Sequence, residues 1–501
     1  MKLASVPARR GNRWKAAAFL CLVVVMAGCL PQLDNARPAD EPQVSASAQR
    51  GGQLGRTATS TRPAMARYDD RVLPKPNPVL SLVGAADFDV SGLTSAQRHW
   101  YERLWKAADA SLGDMVDRVA NDDSYDIGRW AFQFNHALLV GLRATGDLAF
   151  LDAVDEVAET IRGQLDDAWC GGVDRSVSLG ARYGIVDEGD GYLNFRYRSG
   201  SSIHHCRDTS DLDEALTHGH LALLMHAYHV NRGNPSPRKI DYGERADFWL
   251  DYLINHFEPK WRGRSGVQWP DMDFIDLKFC HTYHQMLLYY AFVGWRLQDD
   301  GSPDAGPYLR QALRLTDAMF EVDYDRRERQ PGGFTDVETP LGDAVVYSFG
   351  APGATGVSDT HLEACPVTYA RYMMTSILNL YLEGFPRWDD AIMGRLGHGI
   401  AHFVMDTDPV TDRPDPFAAG VAGDDGAAGI VPTEYRDRMS LSRYTITPFA
   451  ALSRWETSGT MLRISLDAYA AWEGDVDLPQ RVYIPASMLV VTTLDGDRAL
   501  P

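Results

Sequence analysis

The chain has 501 residues, 45% hydrophobic and 23% charged, with 44 Gly, 27 Pro and 6 Cys, which excludes collagen, wholesale disorder and a disulfide-dense scaffold. Its 68 acidic residues against 49 basic ones give a net charge of −19. Outside the first 15 residues there is no Lys/Arg-rich run, which argues against nucleic acid as a partner.

Lys2, Arg9, Arg10, Arg13 and Lys15 precede an apolar run from Ala16 to Ala27. The run is too short for a permanent membrane span but fits the core of a signal peptide. Met26-Ala27-Gly28-Cys29 resembles a bacterial lipobox, with Met where Leu is usual. Residues 1–28 are therefore expected to be a leader and Cys29 a lipidated anchor to the membrane. Leu30, rather than Asp, follows that cysteine, so the expected location is the bacterial outer membrane, facing the periplasm or the surface. Residues 29–78, rich in Pro, Ala, Ser, Gln, Gly and Arg, read as a flexible tether. Removing the leader's cations leaves the mature chain more acidic still.

From about residue 93 helical patterns alternate with turn signals. The stretch 93–120 is amphipathic, and Trp130–Ala144 is apolar almost all round before Thr145-Gly146-Asp147. The alternation continues through Ala149–Leu165, Glu214–Val230, Asp241–Phe257, Lys278–Leu297, Tyr308–Val322, Thr368–Leu382 and Trp388–Met405. Ser442–Trp455 and Thr460–Trp472 form a last pair. A helix apolar on every side must be surrounded by protein, whereas one with a polar face can sit outside. The expected fold is therefore all-α. Its architecture is an (α/α) toroid, or barrel, of six or seven helical hairpins over 79–478, with a short extended tail at 479–501. An open helical solenoid competes, but the connecting loops lack a fixed period. The long loops 166–213 and 323–367 are expected to shape a binding surface.

Beyond Cys21 and Cys29, four cysteines remain: Cys170, Cys206, Cys280 and Cys365. They allow three pairings, of which Cys170 with Cys206 flanks one loop, and buried free thiols are an equal alternative. None has CxxC spacing, and no metal or cofactor is expected.

The polar residues of the apolar helices gather near their starts. They are Asn135-His136, Thr217-His218-Gly219-His220, His281-Thr282-Tyr283-His284, Thr360-His361 with Tyr369-Ala370-Arg371-Tyr372, and Arg443-Tyr444. In a toroid these starts share one end and face one cavity. His226 and His229 read as core histidines, and the tyrosines as core aromatics with hydroxyls satisfied at the rim. Asn, His, Arg and Tyr without an obligatory carboxylate pair suit β-elimination from a uronate. Donors neutralise the carboxylate as the C5 proton leaves, and Tyr or His serves as base and acid.

Leader, tether, toroid and the Asn135-His136 pair in PheGlnPheAsnHisAla together resemble the polysaccharide lyases that cleave alginate or glucuronan on (α/α) toroids. The resemblance covers about 93–475 in architecture but only short motifs in sequence. It implies Asn135, His136 and Arg371 as neutralisers and Tyr283 as catalytic tyrosine, with His220 or His284 as its base partner. Tyr369 or Tyr444 could replace Tyr283. Arg196 and Arg198, in a loop that also holds Arg175, Arg182 and Arg207, are candidates to bind an anionic polysaccharide, with Trp269, His218, Tyr369 and Tyr444 beside them. Two other readings compete. A glycoside hydrolase would use a carboxylate pair such as Asp271 and Asp273, and a non-catalytic glycan-binding lipoprotein would stack sugars on Trp130, Trp261, Trp269 or Trp295.

Overall fold

A computed structural model describes residues 72–121, 130–166, 192–195, 211–275, 277, 280–320, 333–347, 367–403, 447–472 and 479–495. All lie in one compact unit, Pro63–Pro501. The expected leader, Cys29 and the expected tether up to residue 71 lie outside the described residues, as do Cys170, Cys206 and Cys365. Helix accounts for 71% of the interpretable residues, so the chain is all-α as expected. Among the described residues no helix is long and apolar enough to cross a membrane.

The helices follow the sequence pattern closely. They are α1 Ser95–Asn121, α2 Phe132–Thr145, α3 Leu148–Arg162, α4 Asp211–Val230, α5 Tyr242–Tyr252, α6 Glu258–Ser265, α7 Cys280–Asp299 and α8 Ala305–Phe320. Then come α9 Val367–Leu382, α10 Asp390–Phe403, a 3-10 helix Thr447–Arg454, α11 Thr460–Trp472 and α12 Tyr483–Asp495. A π turn, Leu253–Phe257, carries α5 into α6, so this helix runs a further two turns past its expected end. The turn signals act as read. Gly146, at a φ of +77°, ends α2, and the Asp147 carboxylate caps α3 by accepting from the Ala149 N–H at 2.9 Å.

Packing divides the helices into two kinds. α2 is buried without a break from Phe132 to Ala144. α3 and α8 are amphipathic, each burying a stripe. α2 packs on α3, α4 on α5, and α7 on α8, each an apolar helix with its amphipathic successor. The apolar members also meet one another: α2 with α4, α4 with α7, α7 with α9, α9 with the 447–454 helix, that helix with α12, and α12 with α2. Gly219 makes the α4–α7 approach possible. A Cβ there would stand 2.4 Å from the carbonyl oxygen of Gln285.

Two stretches depart from the sequence reading. The tail after Pro479 is helical rather than extended. Val490, Val491, Thr492 and Thr493 favour a strand, but α12 is buried from Tyr483 to Thr492 against α1, α2 and the 447–454 helix, and that burial prevails. Thr492 and Thr493 accommodate the helix by donating their hydroxyls to the Met488 and Leu489 carbonyls. Within the loop 323–367, β3 Phe334–Thr339 and β4 Gly342–Tyr347 form an antiparallel hairpin lying on α10. A two-residue bridge between β1 Leu165–Asp166 and β2 Asn194–Phe195 similarly spans the loop after α3.

Residues 72–85, partly read as tether, are tied to the C-terminal ends of the apolar helices. The Pro74 carbonyl accepts from Trp295 Nε1 at 3.1 Å, and the Asn77 and Val79 N–H groups donate to the Glu383 and Leu382 carbonyls. Leu80 O accepts from Arg143 at 2.7 Å, and Ala85 N–H donates to Gly146 O. This segment supplies partners that helix ends otherwise lack. Gly384, at a φ of +68°, ends α9 beside it, and any Cβ there would strike the Asn77 carbonyl.

Asn231, fully buried, holds the same segment to α4. Its Nδ2 donates to Leu82 O at 2.8 Å and its Oδ1 accepts from the Gly84 N–H at 2.7 Å. Asn231→Ala leaves both backbone groups without those partners and is expected to cost about 2–4 kcal/mol, read as a lower urea midpoint at unchanged slope.

Candidate active site

Phe132, Asn135 and His136 stand at i, i+3 and i+4, so they share one face of α2. That face meets three other elements. The His220 ring of α4 stacks on Phe132, with centroids 5.4 Å apart and planes within 4°. Asn379 of α9 donates its Nδ2 to His136 Nδ1 at 2.9 Å. Tyr483 of α12 lies 5.7 Å from the His136 ring. Because α4 starts at Asp211, three residues before its expected start at Glu214, His220 sits at mid-helix rather than opening it.

The unusual member is Asn135. It is 2% exposed, yet neither Nδ2 nor Oδ1 has a hydrogen-bond partner among the described residues. Gln133 Nε2 and Thr217 Oγ1, on the same helices, and His220 Nε2 are likewise buried and unpartnered. Such groups are uncommon in a native fold, because each costs about 1–3 kcal/mol, and an arriving ligand that supplies partners recovers it.

Burial also sets the charge state. Desolvation pushes the His220 imidazole down to about 3. Desolvation lowers His136 well below its ordinary value, and the neighbouring His220 and Arg143 lower it further. Both rings are therefore neutral at pH 7, one end of each able to donate and the other to accept.

Beneath His136 a polar column crosses the helices. Arg143 of α2 forms an ion pair with Glu383, just past α9, at 2.7 Å, with side chains 0% and 3% exposed. Arg143 Nη2 also reaches Asn379 Oδ1 at 3.5 Å, and His226 Nε2 lies 3.9 Å from Glu383. Arg143, Asn379 and Glu383 were not singled out from sequence. Their signal is that each is a lone polar residue in or next to an apolar helix, where a polar group needs a partner.

The other expected residues lie elsewhere. Tyr283 is buried and donates its hydroxyl to the Leu315 carbonyl of α8 at 2.9 Å. His284, also buried, sits among Tyr283, Phe334 and Trp388. His218 shares a 3.0 Å hydrogen bond with the Tyr252 hydroxyl and stacks on Phe257, with ring centres 3.6 Å apart. Trp269, 44% exposed, lies beside Arg262 and Tyr308, towards α6 and α8. Asp273 is bound by Arg314 and Gln311 of α8. Trp295 is buried, and its indole is used by Pro74. Tyr369 and Arg371 fall within the first turns of α9 and Cys280 begins α7, but their side chains lie outside the described residues, as do Arg196, Arg198 and Tyr444 entirely. Among the described residues no group of three or more His, Cys, Asp or Glu could hold a metal ion. No family model, curated protein or solved structure matches the chain.

The buried histidines make the fold sensitive to acid. A ring whose folded pKa lies below the ordinary 6.5 binds fewer protons folded than unfolded, so stability is full above pH 6.5 and declines as pH falls towards 3 for His220. At pH 5 this single group is expected to cost roughly 2 kcal/mol relative to pH 7.5. Urea denaturation at the two pH values should show His220→Gln losing less stability on acidification than the parent chain.

Proposed function

We propose that this chain is an exported polysaccharide lyase that cleaves a uronate polymer, alginate or glucuronan, by β-elimination on an (α/α) toroid of six hairpins. Two observations support the toroid. The succession of apolar-helix contacts returns from α12 to α2, and α12 also packs on the outer helix α1. The side chains of α2 and α9, three places apart in that succession, also meet through His136 and Asn379, as they would across a narrow axis.

The observation that carries the chemistry is the buried Asn135 amide, unpartnered among the described residues, beside neutral His136 on the same helical face and neutral His220 stacked on that face from α4. A uronate carboxylate is an acceptor-only group that would satisfy Asn135 Nδ2. In the proposed reaction Asn135, His136 and Arg371 neutralise that carboxylate. His220 Nε2 takes the C5 proton, the C5–H electrons form the C4–C5 double bond, and the C4–O glycosidic bond breaks with its electrons on the departing oxygen. The incoming carboxylate raises the basicity of His220, since an anion nearby favours the imidazolium. A tyrosine hydroxyl protonates the departing oxygen. Because the Tyr283 hydroxyl is committed to the Leu315 carbonyl, we assign that role to Tyr369 or Tyr444. The lipid anchor at Cys29 and the outer-membrane location remain part of the proposal, carried by the leader sequence.

Incubation with polymannuronate, polyguluronate or glucuronan is expected to raise ultraviolet absorbance from the new double bond. Asn135→Ala and His220→Gln should each lower kcat/KM by about 100-fold or more while retaining the helical circular dichroism. New reducing ends without absorbance would indicate hydrolysis instead, and binding without either product would indicate a glycan-binding protein.

Tyr283→Phe separates the tyrosine assignments. It should cost about 1 kcal/mol of stability and leave kcat within a factor of about two, since the lost bond is to a backbone carbonyl. A loss of turnover with stability unchanged would return the catalytic role to Tyr283.

A further inference from the structure

We infer that Glu383, Arg143 and Asn379 form a positioning relay that holds the single proton of His136 on Nε2, making this ring an obligatory donor and leaving the acceptor role to His220. The tautomer follows from the bonds alone, whereas its catalytic meaning rests on the lyase reading.

The chain of direction starts at the buried ion pair. Glu383 Oε1 faces Arg143 Nη1 at 2.7 Å, which fixes the guanidinium, and Nη1 also donates to Leu80 O. Arg143 has no acceptor, so Nη2 can only present N–H to Asn379, and the amide must answer with Oδ1, at 3.5 Å. The other side of the amide agrees. Asn379 Nδ2 lies 2.8 Å from the Thr375 carbonyl, which can only accept. Turning the amide over would set NH₂ against a guanidinium and oxygen against a carbonyl, two repulsions in a buried site. Asn379 Nδ2 therefore carries one hydrogen to Thr375 O and the other to His136 Nδ1, at 2.9 Å. An Nδ1 that accepts has no proton, so the neutral ring carries its hydrogen on Nε2.

The ring has no opportunity to become doubly protonated at neutral pH, because burial, His220 and Arg143 all disfavour the cation. The partner histidine differs at the nitrogen that would act: His220 Nε2 has no hydrogen-bond partner among the described residues. One face of α2 thus offers two N–H donors, Asn135 Nδ2 and His136 Nε2, with no charge on either. Such a pair favours a sugar bearing a carboxylate over one bearing a neutral hydroxymethyl group, since the carboxylate accepts both hydrogens and donates none.

The test is a long-range ¹H–¹⁵N spectrum of the full chain labelled with ¹⁵N-histidine, at pH 7.5, with His136 identified by the signal lost in His136→Gln. The expected pattern is that of the Nε2–H tautomer. In the near-isosteric Asn379→Asp variant the donor becomes an acceptor, so the proton should move to Nδ1 and kcat/KM on the uronate polymer should fall at least about tenfold. A wild-type His136 found as the Nδ1–H tautomer or as imidazolium overturns the relay, whether or not Asn379→Asp folds. Elimination activity alongside that result would leave the lyase reading standing. The Nε2–H tautomer without any elimination would instead uphold the relay and remove the lyase reading.

Discussion

The ion pair between Arg143 and Glu383 is the constraint on which the interior depends. Two charges with side chains 0% and 3% exposed have lost their water, and their mutual attraction offsets that loss only when the remaining donors and acceptors are also engaged. Arg143 meets this condition at its two terminal nitrogens, through the Leu80 carbonyl and Asn379, while its Nε has no hydrogen-bond partner among the described residues. The pair therefore links three separate parts of the chain: the 72–85 segment, α2, and the end of α9. Removing either charge would strand the other in a buried site.

From that pair upward, polarity is arranged by depth. The charged groups lie at the level of Arg143 and Glu383, a neutral amide follows, and neutral imidazoles come last. Each layer sets the orientation of the next without passing on its charge. The result is an upper level of directional but uncharged groups, of which Asn135 lacks a partner on both amide atoms among the described residues. An overall acidic chain can in this way hold a site for an acidic sugar. Under the proposed function, long-range repulsion from the surface would be screened within about 8–10 Å at physiological salt, and close recognition would rest on N–H groups rather than on net charge.

Most of the helical framework could be read directly, because apolar periodicity and turn residues such as Gly146 and Asp147 act locally. What could not be read had non-local causes. α12 carries strand-favouring Val490, Val491, Thr492 and Thr493, and only its burial against α1 and α2 makes it helical. Asn135 and His136 were legible as polar residues opening an apolar helix. Which way His136 is turned depends on Asn379, more than two hundred positions away. Tyr283 shows the reverse case: a tyrosine beside a histidine suggested chemistry, while its hydroxyl serves a backbone carbonyl of α8.

The last described helix, α12, lies between the first two, packing on both α1 and α2. During synthesis, α1 and α2 must wait with an apolar flank uncovered until α12 arrives. Acquisition of the fold is consequently held back until α12 has been made, and a product that stops before α12 would keep that apolar flank exposed. Once α12 is seated, the same arrangement works in the opposite sense. α12 is gripped from two sides, so it cannot be peeled away from one neighbour alone and must break both contacts together.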